Sequence, residues 1–393
     1  MAGSWEQRGT SSFRLKYTKD GEPYNKTIKV LGKNAREVEK VVEQELTKFI
    51  LSIDSGSYIN APKKKFEKYA EDWLNLIQND IAITTWENYE RQLINHIIPY
   101  FAKKQIDKIT AINVKQFYKH LLTNNVRLDG KKEPLSSRSV KDIHGILNKM
   151  FTNAKEWDLL EKNIMENVKP PAVLKNEAKI YENDKDILDM IVALLKEPLQ
   201  KQILFLTAMS ASMRRGELIG LDFNNIFFDK NEIKICQSAA NTKEGPIIKS
   251  TKNKRTRIVA IPPILTEMYQ QLLKERKELK LMLGENWEGS SDIDRSAVFI
   301  QKNGKRMYPS SPTQIWNKFL KKHKLKKITL HQLRHTSASV MLHEEIDIQT
   351  VSSILGHSRA STTAEIYLHL FGNGKAAAAN IFENKIQNAK KLG

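Results

Sequence analysis

The chain has 393 residues, and 64 lysine and arginine residues against 45 aspartate and glutamate residues give it a formal net charge of +19. The length predicts two or three domains, and the charge favours a polyanionic partner such as a nucleic acid. The single cysteine excludes an internal disulfide and a cysteine-cluster zinc site. No apolar run of about 18 residues and no secretory signal pattern is present, so we expect a soluble cytoplasmic protein without membrane association.

The first region, residues 1–55, begins with two short segments in which apolar and basic side chains alternate, Ser12–Tyr17 and Lys26–Val30. Asp20-Gly21 between them is typical of a two-residue hairpin turn. From Asn34 the apolar spacing becomes helical. One side of this predicted helix is lined by Val38, Val41, Val42, Leu46 and Phe49. The pattern predicts a three-stranded sheet backed by one helix, whose basic face is either merely solvated or laid in a DNA groove.

The second region, residues 63–168, follows a linker at 53–62 and has helical apolar spacing throughout. Its aromatic residues are therefore expected in the core and not as platforms for nucleotide bases. Thr84 or Thr85 is predicted to cap one helix and Ser136 or Ser137 another. An exposed loop is expected at 128–132. The polar faces carry residues suited to backbone phosphates, namely Lys103, Lys104, Lys108, Lys115, Lys119, Arg138 and Lys141.

The third region, residues 175–393, begins after Pro170-Pro171, which cannot continue a helix. It combines long helices with a strand-rich stretch at 226–261, so an α+β fold is expected. Asn183 is a predicted N-cap. Residues 237–261 are predicted to form one hairpin, with a strand, a basic turn at 249–255 and a return strand at 256–261.

Two basic segments of the third region have the chemistry for handling a phosphodiester. Arg214 offers a planar fork of donors that matches two phosphate oxygens, and Glu217 would hold it in position. Taken alone, this segment is more typical of a solvated helix with an internal ion pair. A lysine in the basic turn at 249–255 could protonate a leaving oxygen. We choose Lys252 for this role, with Lys249 and Lys254 as the alternatives.

A histidine-rich segment follows near the end of the chain. His331 and Arg334 are three residues apart, so on a helix they share a face and could contact one phosphate. His331 and His335 also have the spacing of a metalloprotease helix, but Gln332 stands where the catalytic glutamate would be needed. The cationic Arg334 between the two histidines would repel a divalent metal ion. We therefore expect no metal site here.

The last candidates follow an apolar helix that ends at Gly356, a predicted C-cap. His357 comes next and would be a further hydrogen-bonding partner for the phosphate. Tyr367, on a helix that Thr362 or Thr363 can cap, is the candidate nucleophile. An ordinary tyrosine has a pKa near 10, so a base or an arginine-rich field must favour its phenoxide.

Four segments together closely resemble the boxes of the tyrosine recombinases, the phage integrase family. They are Arg214-Arg215-Gly216-Glu217-Leu218, His331-Gln332-Leu333-Arg334-His335-Thr336, Leu355-Gly356-His357 and Tyr367. The likeness covers roughly residues 175–375. Gln332 departs from the aspartate that is commoner in the family. Residues 63–168 look like the family's core-site-binding domain, and residues 1–55 resemble the arm-site-binding domain of integrases from phages and conjugative elements.

The resemblance implies a multidomain fold and a reaction. The fold would be a small α+β N-terminal domain, an all-α core-binding domain and a mainly α catalytic domain with some β-structure. The reaction would be site-specific recombination that integrates and excises a mobile element in a bacterial host, without a cofactor or metal. Its partners would be double-stranded attachment sites, a homotetramer formed on DNA, and an accessory excision or DNA-bending factor.

The same resemblance assigns roles to single residues. The activating set would be Arg214, Lys252, His331, Arg334 and His357. Tyr367 would attack the phosphate to form a 3′-phosphotyrosyl link and a free 5′-hydroxyl. The C-terminal segment at 376–382 reads as an amphipathic helix that could dock on a neighbouring copy.

Two other functions stay open on the sequence alone. A sequence-specific DNA-binding protein could keep the fold without the catalysis, and Tyr367→Phe would then have no effect. A DNA-relaxing enzyme similar to type IB topoisomerases would use the same phosphotyrosine chemistry. It would act as a monomer on any sequence, so the number of protomers and the target selectivity separate it from a recombinase.

Overall fold

The computed structural model describes residues 3–31, 34–55, 64–129, 131, 133–173, 180–181, 183–251, 256–356, 361 and 364. The chain divides into two compact units, Met1–Lys175 and Asn176–Gly393. The finer division into domains at 1–55, 63–168 and 175–393 stays a prediction. Within the described ranges, no helix combines the length and the apolar character that a membrane span requires.

The first unit opens with an antiparallel sheet of three strands in the order β1 (Ser4–Gly9), β2 (Ser12–Lys19) and β3 (Glu22–Lys29). Asp20 and Gly21 join β2 to β3 with φ angles of 51° and 84°, as a two-residue hairpin turn requires. Helix α1 (Ala35–Asp54) packs on the sheet. The predicted sheet-plus-helix fold is therefore confirmed. Val41 is an exception to the predicted buried face of α1, because it is 39% exposed.

The five helices that follow are α2 (Phe66–Leu76), α3 (Ile83–Gln92), α4 (Ile98–Phe101), α5 (Ala111–Thr123) and α6 (Ser137–Glu156). A π-helical segment, Leu93–Ile97, joins α3 to α4. Pro99 explains this widened turn, since it has no N–H to donate to the carbonyl of Asn95.

The predicted caps of this helical part have different outcomes. Ser136 caps α6 as expected, accepting from the backbone N–H of Ser139. The prediction for Thr84 or Thr85 is wrong, because α3 already begins at Ile83 after an uncapped Ala82. A tertiary contact holds this end of α3: the indole N–H of Trp86 donates to the carbonyl of Leu74 at 2.9 Å.

Most aromatic residues of the helical part lie in its core, as predicted, whereas Trp157 is exposed. Tyr69 donates to the carbonyl of Met150 at 2.5 Å, and Trp73 donates to Oδ1 of Asn153 at 3.0 Å. The loop residue Leu128 is exposed as expected. All seven basic residues predicted to face solvent are exposed: Lys103, Lys104, Lys108, Lys115, Lys119, Arg138 and Lys141.

The second unit starts with α7 (Asp184–Leu194), α8 (Leu199–Ser210) and α9 (Arg215–Gly220). The strands β4 (Ile226–Phe227), β5 (Glu232–Ile235), β6 (Gln237–Thr242), β7 (Gly245–Ser250) and β8 (Arg257–Ala260) follow. The remaining helices are α10 (Pro263–Leu283), α11 (Ser311–Lys322), α12 (Leu330–His343) and α13 (Ile348–Leu355). One apolar core joins α7 to α12 with strands β4, β5, β6 and β8. Asn183 caps α7 as predicted, accepting from the N–H of Asp186.

The single hairpin predicted for residues 237–261 is wrong. β6 pairs with β7 around a turn at 243–244, and β8 pairs instead with β5, which precedes the predicted hairpin. The pairing of β5 with β8 brings Ile233 against Val259 in the core, and this burial overrides sequence adjacency. Lys249 lies in strand β7, not in a turn.

Candidate active site

Arg214 is the N-cap of α9, held by a residue one turn further on. Glu217 accepts from the backbone N–H of Arg214 at 2.9 Å and from its Nη1 at 3.0 Å. Nη2 of Arg214 donates to the carbonyl of Gly356 at 3.3 Å. Glu217 therefore positions Arg214 as the sequence predicts. The segment between α8 and α9 is not helical, because α8 ends at Ser210 and Ser212 has a φ of 48°.

Two glycines let α9 lie directly on strand β6. A Cβ atom at Gly216 would be 2.7 Å from the carbonyl oxygen of Ala239 and would also collide with Ser238. A Cβ atom at Gly220 would be 2.9 Å from the carbonyl oxygen of Gln237. Neither backbone position can give way without unpairing the strand, so both glycines are required for this close approach.

Arg257 completes the network and was missed by sequence reasoning. Its Nη1 and Nη2 donate to the two carboxylate oxygens of Glu217 at 3.1 and 2.7 Å, and its Nε donates to the carbonyl of Ile354 at 3.0 Å. Burial raises the pKa of Glu217, but the hydrogen bonds from Arg257 and Arg214 outweigh it and lower the pKa overall. A signal existed in the sequence, since Arg257 occupies the same face of β8 as the buried Val259.

Arg334 is the second arginine of the site and is almost fully buried, at 2% exposed. It lies on α12, and its guanidinium donates to two backbone carbonyls, those of Ser212 and Leu355. Ser212 precedes α9 and Leu355 ends α13, so Arg334 joins the two segments that also meet at Arg214. The structure thus brings Arg214 and Arg334 to the same junction.

His331 is at the start of α12, one turn before Arg334, and is exposed. The side of its imidazole that faces the protein is desolvated, and this desolvation together with the nearby Arg334 and Arg214 lowers its pKa. The rings of His331 and His335 pack edge to face, with centroids 4.8 Å apart. Burial, His331 and Arg334 lower the pKa of His335 to about 4. Both histidines are therefore neutral at neutral pH.

An open cavity of about 300 Å³ lies beside Arg214 and His331. It is lined by Met213, Arg214, Arg215, Thr313, Thr329, Leu330 and His331. Thr329 caps α12 through a reciprocal pair of hydrogen bonds with Gln332. Gln332 thus performs the capping that an acidic residue could perform at this position.

Three predicted site residues, Lys252, His357 and Tyr367, lie outside the described residues, as do Lys254 and the predicted helix at 376–382. Helix α13 ends at Gly356 with a φ of 62°, so the predicted glycine C-cap is confirmed. No group of three or more potential metal ligands occurs among the residues that the structure describes.

The chain is similar to known proteins over most of its length. Residues 182–373 match the model "Phage integrase family", and residues 65–122 match "Phage integrase, N-terminal SAM-like domain". A "Tyrosine recombinase XerC-like" protein of Caldanaerobacter subterraneus is 25% identical over 93% of this chain and 97% of its own length. The "ICEBs1 integrase" of Bacillus subtilis is 26% identical over 75% of this chain and 76% of its own.

Two solved structures share the fold. The Tn1549 transposon integrase in complex with a circular intermediate DNA has a TM-score of 0.65 at 17% identity, covering 80% of this chain and 99% of the other. A lambda integrase tetramer bound to a Holliday junction has a TM-score of 0.54 at 14% identity, covering 91% and 96%. The two family models together match more than half of the residues, including the arginine and histidine boxes. The chain therefore belongs to the phage integrase family of tyrosine recombinases.

Proposed function

We propose that this site-specific recombinase integrates and excises a bacterial mobile element through a covalent 3′-phosphotyrosyl intermediate. The observation that supports this most directly is the convergence of Arg214 and Arg334 at the end of α13. Both guanidinium groups are anchored by backbone carbonyls, so they are oriented before any DNA arrives. Preorganised donors of this kind stabilise the charge that develops on phosphorus-bound oxygens in the transition state.

In the proposed reaction, Arg214 and Arg334 bind the non-bridging oxygens of the scissile phosphate. The phenolate oxygen of Tyr367 forms a bond to phosphorus, and the bond from phosphorus to the 5′ oxygen breaks. Lys252 gives a proton to that 5′ oxygen, because an alkoxide is a poor leaving group. The phosphodiester energy is kept in the phosphotyrosine, so a 5′-hydroxyl from a second duplex can later reverse the link without ATP.

Neutral histidines suit this chemistry. His331 has a lowered pKa, so at neutral pH its imidazole can accept or donate a hydrogen bond without adding a charge. His357 follows the helix end to which Arg214 and Arg334 are bonded, and we assign it a further hydrogen bond to the phosphate. Lys249 and Lys254 are the alternatives to Lys252 as the proton donor.

The remaining parts of the proposal concern assembly and location. Two rounds of strand exchange need four tyrosines, so we propose that four copies assemble on two duplex attachment sites. The basic sheet at 1–55 would bind distal sites. Because it is linked to domains that bind the crossover site, its effective concentration at nearby DNA is high, so it need not bind strongly by itself. We place the reaction on DNA in a bacterial cytoplasm, with an accessory excision or DNA-bending factor.

A suicide substrate tests the proposal. Nicked duplexes that span the ends of the element are incubated in EDTA with the wild type and with Tyr367→Phe. We expect an adduct on the 3′ side of the break for the wild type and none for the variant. Specific binding without an adduct would overturn the catalytic assignment, and an adduct formed equally on unrelated duplexes would indicate a relaxing enzyme.

A further inference from the structure

Arg215 is an exposed arginine that follows Arg214 in the sequence, and the two side chains have different environments. Arg214 is bonded to the carboxylate of Glu217 at 3.0 Å. Arg215 instead donates from Nη1 to the hydroxyl of Thr313 at 3.1 Å, and no carboxylate of the described residues pairs with it. A guanidinium has five N–H donors, so this one hydrogen bond orients Arg215 and leaves most of its donors available.

The cavity that Arg215 lines has a basic and polar wall without an acidic residue. It is bordered by the first turns of two long helices, α11 near Thr313 and α12 near Leu330, whose N-terminal N–H groups favour an anion. Arg215 adds one positive charge, and Arg214 adds a second that Glu217 partly compensates. None of the seven lining residues is acidic. A site of this composition favours an anionic ligand such as a backbone phosphate.

We propose that Arg215 binds the backbone phosphate next to the scissile phosphate on the cleaved strand. The inference rests on the proposed function, because it takes Arg214 to hold the scissile phosphate. Consecutive residues have Cα atoms about 3.8 Å apart, and here their side chains diverge, one toward Glu217 and the other toward Thr313. The pair therefore presents two separate guanidinium groups to one nucleic acid strand, which carries a charge at every nucleotide.

The competing role for Arg215 is structural, as a tether between α9 and α11 through Thr313. Thr313→Val separates the two roles, since it removes the acceptor but keeps the positive charge. Arg215→Gln removes the charge, and Arg215→Lys keeps it without the planar fork. Lys277→Gln is the matched control, because Lys277 is a half-exposed cation of the same unit, paired with Asp294 at 2.9 Å and absent from the cavity lining.

The first measurement is the salt dependence of duplex binding for the wild type, Arg215→Gln and Lys277→Gln. Loss of one phosphate contact lowers the slope of log K against log salt by about 0.9 and weakens binding roughly tenfold at low salt. We expect this for Arg215→Gln, with Lys277→Gln keeping the wild-type slope. Arg215→Lys should keep the slope and lose part of the affinity. Equal slopes for Arg215→Gln and the wild type would overturn the inference.

The second measurement places the contact. Each phosphate that flanks the scissile one is replaced in turn by an uncharged methylphosphonate, and binding is compared for the wild type and Arg215→Gln. We expect one flanking replacement to weaken DNA binding by the wild type roughly tenfold and to have no effect on binding by Arg215→Gln, so that phosphate and side chain are coupled. Thr313→Val should respond to the replacement as the wild type does. Two outcomes would overturn the inference. In one, the losses from the methylphosphonate and from Arg215→Gln simply add at both flanking positions. In the other, Thr313→Val, which keeps Arg215, is no longer weakened by the replacement.

The same nicked duplexes separate this inference from the proposed function. A wild-type adduct without coupling at either flanking phosphate would overturn the role of Arg215 and leave the recombinase mechanism in place. No adduct despite coupling at a phosphate would overturn the cleavage mechanism, while Arg215 would stand as a strand contact.

Discussion

The helical part of the first unit and the second unit bury very different side chains. In the described residues between 64 and 173, the buried polar side chains are two amides, Asn153 and Asn163. In the second unit they include the charged Glu197, Glu217, Arg276 and Arg334. Burying a charge costs several kcal/mol unless it is paired. Apolar packing is sufficient for the helical scaffold, whereas two of these four buried charges, Glu217 and Arg334, belong to the candidate active site.

Breaking the buried pair at Glu217 should have the largest effect. Glu217→Ala leaves Arg257, whose side chain is only 12% exposed, without its carboxylate. We expect the free energy of unfolding of the second unit to fall by about 3–5 kcal/mol, since an unpaired buried charge remains. Urea denaturation measures this. The control is Glu288→Ala, which removes an exposed ion pair with Lys305 and should leave the transition unchanged; equal losses for the two variants would contradict the comparison.

The next largest effect should come from Arg334→Lys, which keeps the charge but loses the fork that reaches two carbonyls. We expect single-turnover cleavage of a suicide substrate to fall roughly a hundredfold, about 2.7 kcal/mol of transition-state stabilisation. Arg295→Lys, at an exposed surface arginine, is the matched control and should cleave normally. Wild-type cleavage by Arg334→Lys would show that charge alone is sufficient.

Acid should weaken the second unit through His335. Its pKa is about 4 in the folded protein because of burial, against about 6.5 in an unfolded chain. Between these two pKa values, His335 is protonated in the unfolded chain but not in the folded protein. The free energy of unfolding therefore falls as the pH is lowered from 7 to 4, by at most roughly 3 kcal/mol. His335→Gln removes this contribution, and urea denaturation across the pH range should show a shallower decline. An unchanged decline in His335→Gln would exclude this histidine as the cause.

The smallest effect is expected in the helical part. Asn153→Ala removes the acceptor of the Trp73 indole N–H and should cost about 1–2 kcal/mol. Tryptophan fluorescence during urea denaturation reports it. Cleavage at saturating DNA should stay close to that of the wild type, because the hydrogen-bonding partners of the Asn153 side chain, Trp73 and Glu156, belong to the helical part. A large loss of cleavage in Asn153→Ala would contradict the distinction between a structural helical part and a catalytic second unit.

Local patterns in the sequence predicted local structure well. The Asp20-Gly21 turn is formed by two adjacent residues that tolerate positive φ, so its hairpin could be read directly. The Ser136 and Asn183 caps likewise involve donors only three residues away. In α3 the helix start depends on the contact of Trp86 with Leu74, twelve residues earlier, and the prediction from Thr84 or Thr85 was wrong.

Long-range pairing was the part that the sequence could not predict. Strand β8 reaches back past a complete hairpin to pair with β5, and alternation identifies strands but not their partners. Sequence analysis missed Arg257 for the same reason, because its hydrogen bonds to Glu217 join residues that are 40 positions apart. Arg214, His331 and Arg334 were found through motifs and are described at one junction, whereas the roles of Lys252, His357 and Tyr367 stay predictions.

The two acceptors of Arg334 have a consequence for the newly made chain. Ser212 and Leu355 are 122 and 21 residues away from Arg334 in the sequence. The guanidinium can be fixed only after all three segments have been synthesised and packed together. A nascent or truncated chain that ends before Leu355 lacks both this anchor and the proposed nucleophile Tyr367, so we expect it to bind DNA through its basic surfaces without cleaving it.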